Sequence, residues 1–546
     1  MQGAIQPWPA TAESRTSLWT DTATAERRLT LGKIQNLRLS VRLLHGVIIP
    51  AHETFSFWRQ IGRLTSRKGY KLGRELREGC LIPAIGGGIC QLSNALYAAA
   101  LQAGCEVIER HAHTQVIPGS LAELGRDATV AWNDVDLQFR SPCAIQIEAF
   151  LTEAELVVRF HSESKVHVNS SRISLRVVGE AIGSCVSCGE QNCHHHAPHL
   201  ATTSDPATAY IVDAVCAEWL ELWNANPGLV LSPMNGKLWK VPRYAWPNTT
   251  RTALIQTLTR TLRARFLEGQ SPSIVRTAQL REDRRVALAL ARHLRYDQTD
   301  LIVSQTLLPA LWQSGALGGR RFSVLMSRMP FDLLQQQLDL AFKDFPDQLT
   351  LNDFRAPVDW VASERDGLNA AHSIISPHVG IAALFPEKST FINWSQPPKV
   401  IKSRIPEPLV VFPGPTASRK GALAVREAVR SLQLPLVCLS VQLEGSNFWQ
   451  GINYVSSENW LSRAAVVVQP SIVEDSPRVL LQALAMGIPI IATEMCGLRE
   501  GDYIAVKFGD VEALTLAIAS VIQSYNFTTD DAVSETCFDR LPVETS

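Results

Sequence analysis

The sequence predicts a chain of several domains: an α+β domain first, then two α/β domains built on parallel sheets covered by helices. Three observations carry this reading. The chain has 546 residues, beyond what one hydrophobic core serves. Near its start, the helical apolar pattern Leu37–Leu44 precedes two β-type runs, Ala144–Phe150 and Glu155–Phe160, about the turn Leu151-Thr152-Glu153-Ala154. From about residue 206 onward, short apolar runs alternate with long helical patterns, as βαβ units require.

In chain order, residues 1–30 are polar and rich in Thr, Ala and Ser, which predicts a flexible arm. Residues 31–165 form the α+β domain. Residues 166–205 hold a Cys/His-rich loop or linker. Residues 206–396 form the first α/β domain, with strands expected at Leu301–Ser304, Phe322–Leu325 and His372–Ser376. Trp394–Pro408, which contains several prolines, reads as the link to the second, 397–530. Its strands are expected at Leu409–Phe412, Leu436–Leu439, Ala465–Gln469 and Ile488–Thr493. Residues 531–546 read as a tail.

Composition narrows the function. Lys+Arg and Asp+Glu are both 52, and a net charge of zero argues against a nucleic-acid partner. No apolar run reaches the roughly 18–20 residues that cross a bilayer, so membrane contact is expected to be peripheral at most. Met1–Arg42 lacks the apolar stretch of a secretory leader. The eleven cysteines, an odd number and mostly scattered, are expected to be reduced thiols in a cytoplasmic protein.

The most informative stretch is Ile85-Gly86-Gly87-Gly88-Ile89-Cys90, which runs straight into the helical pattern Gln91–Ala103. Glycines let a backbone approach its neighbours closely. A cysteine at a helix N-terminus is favoured as a thiolate, the reactive form. Gly104 is placed to close the helix in the left-handed conformation. Cys105–Val116 then reads as a strand, which would put Glu109, His111 and His113 on one face. The turn Gly125-Arg126-Asp127 follows.

Thiol, imidazole and carboxylate are the parts of a nucleophilic triad. Cys90 would attack an acyl carbon, His111 or His113 would carry its proton, and Asp127 would fix the imidazole. The Cys90 and Gln91 N–H groups would face the oxyanion. The alternatives are a metal site made by Cys90, His111 and His113, with or without Glu109, and a plain packed thiol.

Residues 35–140 closely resemble the VanW family, found in bacteria and associated with vancomycin-resistance gene clusters. The landmarks are Phe55-Ser56-Phe57, Gly62, Gly69-Tyr70, the Gly86–Tyr97 segment, Glu109-Arg110-His111-Ala112-His113, Gly125-Arg126-Asp127-Ala128 and Asp136-Leu137-Gln138-Phe139. The resemblance identifies the domain and leaves its reaction to the residues.

A second cluster, Cys185-Val186-Ser187-Cys188 with Cys193-His194-His195-His196 and His199, concentrates soft ligands within fifteen residues. Cys185, Cys188, Cys193 and one histidine, taken as His194, would fill a tetrahedral zinc shell. A dithiol redox pair of Cys185 and Cys188 is the other reading.

In the C-terminal half, the strand Leu409–Phe412 leads through Pro413-Gly414-Pro415 to Arg419-Lys420-Gly421 and a helix. Cations and a helix N-terminus beside a strand's carboxyl end suit a diphosphate. Residues 405–525 resemble retaining glycosyltransferases of family 4, which have the GT-B fold of two Rossmann-like domains. The resemblance implies a nucleotide-sugar donor and maps the sugar-contacting acid to Glu474. It maps the phosphate-contacting basic pair to Arg419 and Lys420, beside Gly414. The ribose-binding acid, eight positions after Glu474, maps to Gln482, an amide that still hydrogen-bonds but lacks the charge. No glycine-rich loop of the first Rossmann-like half is visible in 206–400.

The expected activity is transfer of sugar from a nucleotide sugar to a cell-envelope precursor or glycan. The alternatives are thiol-dependent acyl transfer or hydrolysis at Cys90, and a non-catalytic binding protein with a degenerate GT-B fold.

Overall fold

The computed structural model describes residues 5–19, 26–77, 79–113, 115, 120–163, 183–186, 188, 190, 193, 208–398, 403–445 and 447–525. The residues after 525, expected as the end of the second α/β domain and a tail, lie outside the described residues.

The N-terminal domain centres on a four-stranded antiparallel sheet in the order Ala10–Ser17, Glu155–His161, Ile145–Leu151, Ile48–Ile49. The helices Arg27–Leu44 and Cys90–Gln102 pack on it. Leu37, Leu96, Ile147, Val158 and Phe160 meet there with no exposed surface. Such burial contributes about 1.5–3 kcal/mol per large side chain.

The expected flexible arm, 1–30, is corrected. Ala10–Ser17 is an edge strand paired along its length with Glu155–His161, and Arg27 already begins the first helix. The strand reads as polar because its inward positions, Ala12 and Ser14, are small. Its outward Glu13 and Arg15 meet Arg159 and Glu155 across the ladder. Cross-strand charge pairs of this kind stabilise an edge without apolar bulk.

Two small sheets complete the domain. The hairpin Leu72–Arg77 and Cys80–Ile85 takes Gly183–Ser184 as a parallel third strand. Thr54–Ser56, Gln138–Arg140 and Glu106–Glu109 form the other. The strand expected over Cys105–Val116 is therefore shorter, ending at Glu109 after a register shift.

Two wholly parallel sheets follow. The first has seven strands in the order Thr249–Thr252, Leu229–Ser232, Ala209–Ile211, Asp300–Ser304, Arg321–Leu325, Ser373–Ser376, Ser389–Phe391. The second has five: Leu436–Cys438, Val410–Phe412, Val466–Gln469, Ile490–Ala492, Ile504–Ala505. Successive residues bury on opposite faces, Val410 and Phe412 in one core, Val411 and Val467 in another. That double burial is why these strands read as unbroken apolar runs. This is the two-Rossmann layout of GT-B proteins.

The carboxyl ends of the two sheets face each other. Contacts cross the gap: Trp394 Nε1 donates to Gly497 O at 3.0 Å, and Ser418 N to Oγ1 of Thr350, in the turn after the helix Phe331–Asp344, at 2.7 Å. The N-terminal domain docks on the first sheet's domain. Arg38 Nε donates to Gly318 O at 2.7 Å, and Gly319 N to Thr152 O at 2.9 Å. Among the described residues, no helix is long and apolar enough to cross a membrane.

Candidate functional site

The glycine run seats Cys90. Gly86 and Gly88 have φ of 83° and 87°, the left-handed region. A Cβ on Gly88 would lie 2.2 Å from Lys33 Cγ, and one on Gly87 2.4 Å from the Gly73 backbone. The loop is wedged between the first helix and the hairpin, and Asn36 Nδ2 holds it by donating to Gly87 O at 3.0 Å. Cys90 then begins its helix, half-buried, with Sγ 3.8 Å from Thr129 Oγ1.

The helix also carries the acid into place. Asn94 Oδ1 accepts from Ala128 N at 2.7 Å, and Ser93 Oγ donates to Ala128 O at 2.5 Å. Asp127, fully buried, stands just before this clamp. Its Oδ1 lies 2.6 Å from His113 Nδ1, and its Oδ2 accepts His113 N at 2.7 Å. Cys90 is a second side-chain partner of the imidazole. Burial works against a charged His113, but bonds to Asp127 and Cys90 outweigh it and push its pKa up to about 10.

The structure thus brings Cys90, His113 and Asp127 together. It does not bring His111 to them. That side chain is exposed, 3.6 Å from Glu109 Oε1. The shared face expected for Glu109, His111 and His113 fails because the strand stops at Glu109 and irregular backbone turns His113 inward. Glu109 is structural, accepting from Asp136 N at 2.9 Å and Gln138 Nε2 at 2.8 Å. Gln91 N–H, expected at the oxyanion, already donates to Gly88 O at 3.2 Å.

The metal reading at Cys90 fails with His111 turned away, and the cysteine–histidine cluster falls partly outside the described residues. Among the described residues, no three His, Cys, Asp or Glu side chains are grouped to hold an ion. Cys185 is buried, its N–H bonded to Leu81 O at 3.0 Å in the segment that extends the hairpin sheet. Cys188 is exposed and Cys193 half-buried. His194 lies outside the described residues.

A second cluster lies between the two parallel sheets. Gly421, with φ of 83°, starts the helix Ala422–Leu432 so close to the next strand that a Cβ would be 2.4 Å from Pro470 O. This brings Lys420 to Glu474, Nζ to Oε2 2.9 Å, with both side chains nearly enclosed. Gly414 is buried beside the aliphatic stem of Lys420. Gln469 Nε2 also donates to Glu474 Oε2, and the Asp475 and Ser476 N–H groups donate to Oε1 at 3.1 and 2.9 Å. Burial opposes ionisation of Glu474, yet Lys420 and these amides hold it below the usual carboxylate range.

The expected basic pair is split. Arg419 turns away from Lys420 toward the first half, Nε 3.1 Å from Asp353 Oδ1. Burial lowers the Arg419 pKa and raises that of Asp353 to about 6. Gln482 is half-buried on the helix Arg478–Ala485, one turn beyond Arg478 and on its face.

Three further residues belong to this cleft. His378 is buried at the first half's edge of it, with Nε2 3.2 Å from Met495 O and Nδ1 accepting from Ile381 N at 3.3 Å. Burial lowers its pKa to about 4, so it is neutral. Glu218, from the helix Ala217–Ala225, grips Arg478 across the cleft, Oε1 to Nη1 2.7 Å. His378 follows an expected strand by two residues, a position that itself marks ligand sites in α/β sheets. Glu218 carries no such signal.

Known proteins match these two regions separately. Residues 32–161 match the family described as "VanW like protein", and residues 426–524 the one described as "Glycosyl transferases group 1". The chain thus carries a VanW-like region and, separately, a region similar to group 1 glycosyltransferases. The VanW domain is 38% identical over 106 residues to the uncharacterized protein YoaR of Bacillus subtilis strain 168, covering 19% of this chain and 34% of that one. It is 34% identical over 130 residues to the vancomycin B-type resistance protein VanW of Enterococcus faecalis, covering 23% and 47%. The chain spans less than half the length of these curated relatives. Among solved structures, the glycosyltransferase region is similar to a UDP-forming α,α-trehalose-phosphate synthase from Burkholderia vietnamiensis, with a TM-score of 0.38 and 11% identity over 58% of this chain and 89% of that one. It is also similar to HepE of Anabaena in complex with UDP, with a TM-score of 0.34 and 12% identity over 58% and 90%.

Proposed function

We propose that this protein transfers sugar, with retention, from a nucleotide-sugar donor to a glycan or cell-envelope precursor, and that it works in the cytoplasm. The observation that carries the proposal is the enclosed Lys420–Glu474 pair at the carboxyl ends of adjacent strands in the glycosyltransferase domain. The ammonium would turn to the donor's diphosphate, which carries more charge than one carboxylate. The freed Glu474 carboxylate would bind the sugar hydroxyls, and the Gln482 amide the ribose. The sugar–phosphate bond breaks, the acceptor hydroxyl bonds to the anomeric carbon, and the hydroxyl proton leaves with the nucleoside diphosphate.

The test is thermal denaturation with a panel of nucleotides and nucleotide sugars, together with an assay for nucleoside diphosphate release. A ligand that binds only the folded state raises the melting temperature. One donor is expected to raise it in the wild type and not in Lys420→Ala. No shift at millimolar concentration, and no diphosphate released, would sink the proposal.

The grouping of Cys90, His113 and Asp127 favours a second activity in the VanW-like region, thiol-dependent acyl transfer or hydrolysis. The Cys90 thiolate would attack an acyl carbon, and the C–N or C–O bond would break as His113 gives its proton to the leaving group. An amine or water would then displace the thioester and return a proton to His113. Alkylation of Cys90 by iodoacetamide at pH 6 is expected to be fast, and about tenfold slower or more in Asp127→Asn, which loses the imidazolium's partner. Equal rates in the two proteins would remove this reading.

A further inference from the structure

The helix Leu254–Phe266 of the first glycosyltransferase half is amphipathic the wrong way round. At 100° per residue, Ile255, Leu258, Leu262 and Phe266 fall on one stripe. All four are exposed, at 73%, 45%, 53% and 83%. The opposite face carries the polar ties to the domain. There, Thr257 Oγ1 donates to Pro233 O at 2.8 Å and Arg260 Nη2 to Tyr244 O–H at 2.6 Å. Arg260 also pairs with Asp213 at 3.1 Å and Asp283 at 3.0 Å. The polar side of this helix faces the protein, and its apolar side faces out.

Those same ties hold the loop 233–244 against the helix, and the loop presents two more apolar side chains to solvent. Leu238 is 74% exposed and Trp239 52%. Exposed apolar side chains in this number need an occupant.

Charge identifies it. Residues 233–267 contain seven Lys or Arg and no Asp or Glu, and beyond Arg243, Arg260 and Arg263, which pair with acids outside the segment, four cations remain. Lys237 and Lys240 flank Leu238 and Trp239, while Arg251 precedes the helix and Arg265 borders the stripe, all four exposed. Apolar side chains ringed by cations, with a tryptophan at the edge, match an anionic lipid surface. The apolar groups enter the acyl boundary, and the cations remain among the phosphates.

We propose that this face, the helix Leu254–Phe266 with the Leu238–Trp239 loop, seats the protein on anionic membrane. The helix is about 20 Å long and lies along the surface without crossing it.

The test is co-sedimentation of the full-length protein with vesicles of equal parts phosphatidylglycerol and phosphatidylcholine, and with phosphatidylcholine alone. Binding is expected to the first and only weakly to the second, and to fall as salt is raised. The variant Leu262→Ser with Phe266→Ser should bind about tenfold less or worse. Because both side chains are already exposed, its circular dichroism and melting temperature should match the wild type. Trp239→Phe should lose part of the blue shift in tryptophan emission that vesicles induce. Equal sedimentation with both vesicle types, or undiminished binding by the double serine variant, would overturn the proposal. So would a dimer in sedimentation equilibrium that the serines dissociate, together with no vesicle binding, since the stripe would then cover a second copy of the chain.

Discussion

Glu218 and Arg478 stand 260 residues apart and meet in a two-pronged ion pair across the glycosyltransferase cleft, with Arg478 Nη1 2.7 Å from Glu218 Oε1. Glu218 is wholly buried, and its Oε1 also accepts Ser395 N at 2.8 Å. The pair spans the two halves at the carboxyl ends of their sheets and so fixes how far the cleft opens.

Glu218→Gln removes the charge but keeps the shape. Arg478 is partly exposed and recovers some hydration, so the cost is about 1–3 kcal/mol, less than for a wholly buried pair. Hydrogen exchange at the amides of Ser395 and of the helix Arg478–Ala485 should speed up by about 5–150-fold. Burial tends to raise the Glu218 pKa, but Arg478 holds it below the usual range. Its contribution is therefore present above the unfolded value of about 4.3 and is lost as pH falls through the folded one. The variant and wild type should converge in acid.

His113 has the opposite sign. Its folded pKa of about 10 lies above the ordinary histidine value of 6.5. The stability it contributes is present below pH 6.5 and drains away as pH rises through 10. Melting temperatures of the wild type and His113→Gln, measured from pH 6 to pH 10.5, should differ most at the low end and close toward the high end. A constant gap would show that His113 does not titrate in the folded protein as its contacts require.

Lys420 and Glu474 are coupled by their enclosure. Lys420→Met leaves a buried carboxylate without its cation and should cost about 3–5 kcal/mol. Lys420→Met with Glu474→Gln should cost less than Lys420→Met alone, because no charge remains uncompensated. Urea denaturation of the three proteins checks the order.

Gly88→Ala should cost about 2–4 kcal/mol, from left-handed strain and a methyl pressed against Lys33. Gly451→Ala is the control. It shares the positive φ but has nothing within 4 Å, so it should show only the strain, about 1–2 kcal/mol. Comparison of their melting temperatures separates the two causes.

The strands of the parallel sheets were legible because burial on both faces leaves uninterrupted Val and Ile. The expected Leu301–Ser304, Phe322–Leu325 and Ala465–Gln469 differ by a residue or less at each end from those observed. The glycine run was legible because tight approach admits nothing else. Ala10–Ser17 was not, since its pairing relies on small side chains and on charges 140 residues away. Nor was the choice of His113 over His111, which rests on where one strand stops. The reversed face of Leu254–Phe266 was hidden for a plainer reason. Periodicity shows that a helix has an apolar side, and only tertiary structure shows which way it points.

In the N-terminal domain, Ala10 pairs with His161, so the main sheet's first and last strands in chain order lie side by side. A sheet with adjoining ends makes a cassette. It can be spliced into a host with little rerouting of the host's backbone, and a short bridge between its ends permits new openings elsewhere, in the loop before the glycine run for example. The Cys90–His113–Asp127 cluster and the Lys420–Glu474 cleft can then be inherited, exchanged or lost independently.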